Sequence, residues 1–171
     1  PQNASGTCVA CVMEGSRPIL AEVQGLVAPT GFGTPRRMAT GFDYNRMSML
    51  LAVLEKRAGY FFGNMDAYVN VVGGFKLDEP AADLSVALAL VSSLKDCVVQ
   101  EDVLAFGEIG LAGEIRAVGN TEQRISEAAR LGFRRCVVPR PNLKGLASGV
   151  RDKIEIIGVR TVREAFEAMI G

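Results

Sequence analysis

Apolar and polar positions change period several times along the chain, and each change marks an element. Residues 6–13 and 17–28 are apolar, β-rich runs. Glu14-Gly15-Ser16 between them is turn chemistry, so the two runs read as a hairpin. Residues 29–42, Pro-Thr-Gly-Phe-Gly-Thr-Pro-Arg-Arg-Met-Ala-Thr-Gly-Phe, read as one long Gly/Pro loop. Long ordered loops in compact domains usually carry function. Asp43 then caps a helix whose Met47, Leu50, Leu51, Leu54 and Ala58 share one face, and Gly59 stops it. Residues 67–72 alternate like a strand. Pro80 opens a helix running to about Lys95; its stretch 81–90 is apolar nearly all round, which predicts a central, buried position. Residues 102–118 read as a second hairpin turning near Ala112-Gly113. Asn120 caps a helix to about Leu131, with Gln123 completing a box-like cap. Cys136-Val137-Val138 and residues 154–157 are short strands, and Thr161 with Glu164 is a capping box that starts a terminal helix. This order implies an α+β, or layered α/β, domain.

Length adds that one domain is expected, over 6–171, with 1–5 as a tail or linker from a preceding domain. The chain starts at Pro1 rather than Met, so we read it as a piece of a longer protein. Nineteen Lys and Arg balance nineteen Asp and Glu. That balance excludes a domain that coats nucleic acid by bulk charge, and leaves room for a local basic patch. There is no histidine, which removes Ser-His-Asp and Cys-His catalysis and histidine metal ligands together. No apolar run approaches the ~20 residues of a membrane span, and no signal peptide is present, so a cytoplasmic protein without membrane contact is expected.

Cys8 and Cys11 form a C-x-x-C that reads either as half a zinc or redox site or as two core thiols. Their segment also reads as a strand, where residues three apart point to opposite faces. Cys97 and Cys136 stand alone. We read all four as buried, reduced core cysteines and expect no metal. No Gly-Lys pair exists in the chain, so it holds no P-loop and no ATP site is expected. Gly31-Phe32-Gly33 is followed by Pro35 rather than by a helix and reads as a flexible loop.

Two segments carry a resemblance when read together: Lys76-Leu77-Asp78-Glu79-Pro80-Ala81-Ala82-Asp83-Leu84, and Gly107-Glu108-Ile109-Gly110-Leu111-Ala112-Gly113-Glu114-Ile115 with the helix after Asn120. In order and spacing they resemble the proteolytic domain of the Lon protease family, which implies a ribosomal protein S5 domain 2-like fold. Lon-type enzymes place a catalytic serine in D-G-P-S-A-G at a helix start and a catalytic lysine after the second segment. At those positions this chain has Ala81 and Glu122. A Ser-Lys dyad needs a hydroxyl nucleophile and an amine to take its proton, and a methyl group does neither. Ser85 lies one turn further, about 6 Å along the axis. The resemblance with this departure implies a Lon-like fold without peptidase activity. A residual peptidase using Ser85 or Ser48 stays as an alternative.

Glu22 to Thr30, Pro35-Arg36-Arg37, Ala39-Thr40-Gly41, Asn45-Arg46, the stretch 54–59 and Asp78-Glu79-Pro80-Ala81-Ala82-Asp83-Leu84 also resemble the RadA (Sms) family of bacterial DNA-repair proteins. What that resemblance implies is a hexameric ring scaffold that contacts DNA during branch migration, with a RecA-type recombinase as a possible partner. ATP, magnesium and zinc are expected only in domains outside this chain. The candidate DNA-binding residues are Arg36, Arg37 and Arg46, whose guanidinium groups suit phosphate oxygens. A pure oligomerisation module without DNA contact is the competing reading. A second basic cluster, Arg134, Arg135, Arg140, Lys144, Arg151 and Lys153, reads as a solvated face. Asp78, Glu79 and Asp83 at a helix start read as helix-end and subunit contacts rather than as a metal site.

Overall fold

A computed structural model of the chain describes residues 4–170. Nine strands and five helices follow one another as β1 (Thr7–Glu14), β2 (Arg17–Pro29), β3 (Arg37–Thr40), α1 (Tyr44–Ala58), β4 (Met65–Val71), α2 (Asp83–Lys95), β5 (Val103–Ala105), β6 (Glu108–Ile109), β7 (Ile115–Arg116), α3 (Thr121–Arg130), β8 (Arg135–Pro139), α4 (Ser148–Arg151), β9 (Glu155–Val159) and α5 (Val162–Ile170). Seven strands form one mixed sheet in the order β3-β4-β2-β1-β5-β8-β9. The pairs β1/β2 and β2/β4 are antiparallel and the other four are parallel. A layered α/β fold is what the element order predicted. Of the expected tail, residues 1–3 lie outside the described residues, while the Ser5 hydroxyl already donates to Asp96 (2.9 Å).

Alternation along the strands sorts the core into two layers. On one face Ala10, Val23, Ala67 and Val69 pack with α1, α2 and α5. On the other, Cys11, Leu104, Phe106 and Cys136 pack with Ile125 and Ala128 of α3 and Val150 of α4. Helix α2 lies in the middle: Asp83 to Ser92 are all buried, as an element apolar all round requires. Asp43 caps α1 by accepting from the Arg46 amide (2.8 Å), and Gly59 ends it in the left-handed region. The Thr161 hydroxyl accepts from the Glu164 amide (3.1 Å), as the capping box predicts. The returning carboxylate takes the amide of Arg160, one residue earlier than in the standard box (2.6 Å).

Three expectations are corrected. The loop 29–42 contains a strand, because Arg37–Thr40 pairs in parallel with Ala67–Asn70. The hairpin expected over 102–118 divides: β5 joins the main sheet beside β1 and β8, and β6 with β7 alone forms the hairpin. Asn120 does not cap α3 with its side chain; it sits at φ +60, a conformation asparagine tolerates. Asn142 closes that end instead, accepting from the Val118 amide (3.0 Å) and donating to Thr121 Oγ1 (2.8 Å).

Cys8 and Cys11 do point to opposite faces, Cys8 into the α2 layer and Cys11 into the α3 layer. Burial pushes both thiols up to about 12, and that of Cys136 well above its ordinary value. Cys97 departs from the expectation and is half-buried at the C-terminal end of α2. A thiol reagent such as DTNB is therefore expected to label one cysteine per native chain quickly and all four in urea. Two or more fast thiols in the native protein would show that the sheet opens at β1 or β8.

Candidate functional site

The start of α2, where the two resembling segments meet, is a clamp built from backbone and two ion pairs. Pro80–Ala82 forms a single 3-10 turn ahead of the helix. Ala81 is buried, its carbonyl accepts from the Gly107 amide (2.9 Å), and the Gly107 carbonyl accepts from the Leu84 amide (3.0 Å). A Cβ on Gly107 would stand 3.0 Å from Ile115 and 3.1 Å from Pro139, so a side chain there would push into the layer beneath.

Asp83 is fully buried. It accepts from the Ile109 amide (3.0 Å), from Arg46 Nε (2.9 Å) and from Arg46 Nη2. Helix α1, helix α2 and strand β6 therefore meet at one carboxylate. The hydrogen bonds to Asp83 hold the Arg46 guanidinium above its ordinary pKa, and Glu108 lies 3.9 Å away on the outer side.

Four residues earlier, Glu79 accepts from the Met13 amide (2.8 Å) and from both terminal nitrogens of Arg124. Arg124 is 2% exposed although it is a cation. Its Nε donates to Gly119 O (2.9 Å), Nη1 also donates to Cys11 O (2.8 Å), and its plane lies 5.5 Å from the Phe106 ring centre. All three guanidinium nitrogens thus donate, as burial of a charge demands. Sequence reading placed Glu79 and Asp83 at a helix end but did not find their arginine partners. The available signal was a carboxylate inside a helix that is apolar all round, which cannot stay unpaired.

The remaining candidates fall as follows. Glu122 is exposed on the first turn of α3 and accepts from the Ala147 amide (3.1 Å). Ser85 is fully buried; its hydroxyl donates to Ala105 O and lies beside the Cys8 thiol. Ser48 lies on α1, half-buried. Arg46 and Arg37, expected to hold phosphate, have internal partners: Arg46 holds Asp83, and Arg37 donates to Phe62 O (3.1 Å) and Met65 O. Arg36 is exposed, and its backbone amide donates to Asp66 (2.8 Å). In the second basic cluster Arg134 pairs with Asp102 and Arg135 with Glu155. Arg140 is exposed and opens the 3-10 turn Arg140–Leu143 that follows β8. Asp78 is exposed. Among the described residues no group of three or more His, Cys, Asp or Glu could hold a metal ion, and no helix is long and apolar enough to cross a membrane.

Comparison with known proteins gives the same two resemblances. The family model described as the Lon protease (S16) C-terminal proteolytic domain matches residues 46–171. Relatives named DNA repair protein RadA are similar over nearly the whole chain. That of Halalkalibacterium halodurans is 51% identical over 98% of this chain. That of Bacillus subtilis is 49% identical over 98%, and that of Streptococcus pneumoniae 51% identical over 96%. The chain spans little more than a third of these relatives, 36%, 36% and 39% of their lengths. The mixed sheet, helix α2 and the staple that ties Ala81, in the turn ahead of it, to Gly107 thus belong to a member of the Lon protease C-terminal proteolytic domain family, about half identical to RadA proteins along its length.

Proposed function

We propose that this chain is a Lon-like domain without peptidase activity that acts in DNA repair, as a ring scaffold and a DNA contact within a RadA-type protein. The observation that carries this reading is Ala81. At the position where the family places its nucleophile there is a buried methyl group, and its backbone is tied to Gly107. The carboxylates on either side are taken up by Arg46 and Arg124, so neither is free to act as a base. Ser85 offers no substitute, since its hydroxyl is inside the sheet and donates to a carbonyl. With the chemistry removed and the frame kept, what remains useful is the shape: a rigid module to assemble and to present side chains.

In this reading six copies form a ring, branch migration is the process served, and ATP hydrolysis is supplied by parts of the protein outside this chain. A RecA-type recombinase is a partner candidate. A neutral chain with a few exposed arginines binds DNA weakly alone, and repetition around a ring raises avidity by orders of magnitude. Arg36 is the loop arginine with its guanidinium exposed. Arg37 and Arg46 hold the loop and the first helix in place around it.

Multi-angle light scattering with and without a fluorescent duplex, at two salt concentrations, tests the assembly and the DNA contact together. The expected result is a mass near six chains that carries duplex at low salt and releases it at high salt. A six-chain mass without duplex at either salt would favour the pure oligomerisation module. Arg36→Ala is expected to weaken binding uniformly across sequences and to reduce the slope of log K against log salt by about 1. An unchanged slope would remove Arg36 from the contact. Casein is expected to remain uncut by the chain and equally by Ser85→Ala; hydrolysis abolished by Ser85→Ala would restore the peptidase reading.

A further inference from the structure

Among the described residues, no element covers one half of one face of the sheet. Helices α1, α2 and α5 pack on the opposite face, and α3 with α4 cover the part around β1, β5 and β8. Strands β3, β4 and β2 present rows on the open side. Met38 stands opposite Tyr68 and Tyr68 opposite Leu26; in the next row Thr40, Asn70 and Gln24 are neighbours. Asn70 Nδ2 lies 3.4 Å from Gln24 Oε1, which places that row on one face. Met38 is 57% exposed and Leu26 58%. At the end of this face the chain crosses from β2 to β3, and at the tip of the crossing is Phe32, fully exposed.

That crossing is held at both ends. Asp66 Oδ1 accepts from Thr30 Oγ1 (2.9 Å) and from the Arg36 amide (2.8 Å), the Thr30 amide donates to Asn64 O (3.0 Å), and Arg37 is fastened to Phe62 O. Between the pins the tip is open: a Cβ on Gly31 or Gly33 would meet nothing within 4 Å, and Gly33 has φ +74. A phenyl ring is thus presented to water on a short, anchored arch rather than folded onto the sheet beside it. From Pro29 to Phe42 there is no carboxylate, and the two charges in that stretch are Arg36 and Arg37. Of the carboxylates on this face, Asp66, beside the Tyr68 row, is held below its ordinary pKa by its hydrogen bonds and already accepts two of them, and Glu22 lies one step beyond Gln24 on β2.

We propose that this arch and the open sheet face bind single-stranded DNA, with Phe32 stacking on an unpaired base, the Met38–Tyr68–Leu26 row underlying its neighbours and Arg36 taking a phosphate. The proposal rests on the DNA-contact reading above and adds to it the strandedness and the stacking residue. Exposed aromatic rings beside cations are the combination that holds single strands without regard to sequence, since every base has a π-face. A duplex keeps its bases stacked on one another, so a ring at a loop tip gains nothing from them. The charge favours a polyanion over an apolar protein surface, which would need no arginine at the rim.

The chain has no tryptophan, so Phe32→Trp creates a single reporter at an exposed position that folding does not depend on. Binding of a labelled 20-mer of dT is measured by anisotropy in the wild type, Phe32→Ala and Phe32→Trp, with Trp emission followed under unlabelled dT or a matched duplex. The expected result is a loss of about 5- to 150-fold for Phe32→Ala, the range carried by one base–aromatic stack, with the salt slope unchanged. Phe32→Trp keeps wild-type affinity, and its emission is quenched by dT and not by duplex. Wild-type affinity in Phe32→Ala together with unmoved Trp emission while dT is bound would overturn the stacking and leave the DNA contact standing. No binding of dT or duplex by the wild type would overturn both. Quenching by duplex equal to that by dT would overturn the strandedness. Trp emission that follows protein concentration and not DNA would assign the face to contact between copies of this chain, and the proposal would fall.

Discussion

Arg124→Met is expected to destabilise the fold by about 3–5 kcal/mol, the usual cost of breaking a buried ion pair from one side. For a chain of this length that lowers Tm by roughly 6–20 °C. Methionine keeps much of the stem volume, so packing against Phe106 is largely retained and the loss is electrostatic. What it leaves is a carboxylate on Glu79 without its cation, and the carbonyls of Cys11 and Gly119 without their donor. The decisive comparison is the double variant. Glu79→Gln still offers an oxygen to the Met13 amide but carries no charge. Arg124→Met with Glu79→Gln is therefore expected to be more stable than Arg124→Met alone, measured by urea unfolding. If the double variant is less stable than the single one, the pair does not act as a unit and the account of this end of α2 is wrong.

The second large effect is expected at the other carboxylate. Arg46→Ala strands Asp83, which is fully buried and would keep only the Ile109 amide. A cost of about 3–5 kcal/mol follows by the same reasoning. Asp83→Asn on its own keeps an acceptor for Ile109 and loses the ionic part of the Arg46 contact, so it should cost less, about 1.5–3 kcal/mol, the worth of a charged hydrogen bond. Adding Asp83→Asn to Arg46→Ala should recover stability, since no unpaired charge then remains inside. The pair also bears on how DNA-binding data are read. A variant at Arg46 that loses DNA affinity loses it through α1, α2 and β6 shifting apart, and its lowered Tm separates that cause from a lost phosphate contact. Arg36→Ala, on an exposed side chain, should leave the unfolding free energy within about 0.5 kcal/mol of the wild type.

Helices were legible in the sequence because what makes them is local. Asp43, the box of Thr161 and Glu164, Gly59 and the continuous apolar stretch of α2 act within a turn or two of chain, so pattern and cap chemistry are enough to place them. The first hairpin was legible for the same reason, with its turn residues between two β-rich runs. The proposal that the chain lacks the family's nucleophile also rests on sequence, because Ala81 stands where the resemblance expects serine, and no tertiary arrangement turns a methyl group into a hydroxyl.

The tertiary structure decided what depends on distant chain. Arg37–Thr40 has no strand pattern of its own between Pro35 and Gly41; it is a strand because β4 offers its edge. Val103–Ala105 pairs with β1 and β8 rather than folding back on its neighbour, since three buried apolar residues gain more in the sheet than in a hairpin. Whether an arginine is free cannot be read from its neighbours in sequence. Arg46 meets Asp83 across 37 positions and Arg124 meets Glu79 across 45, so two residues that read alike, Arg36 and Arg46, end with opposite fates. Local chemistry determined the elements, and long-range pairing of charges and strand edges decided which side chains remain at the surface.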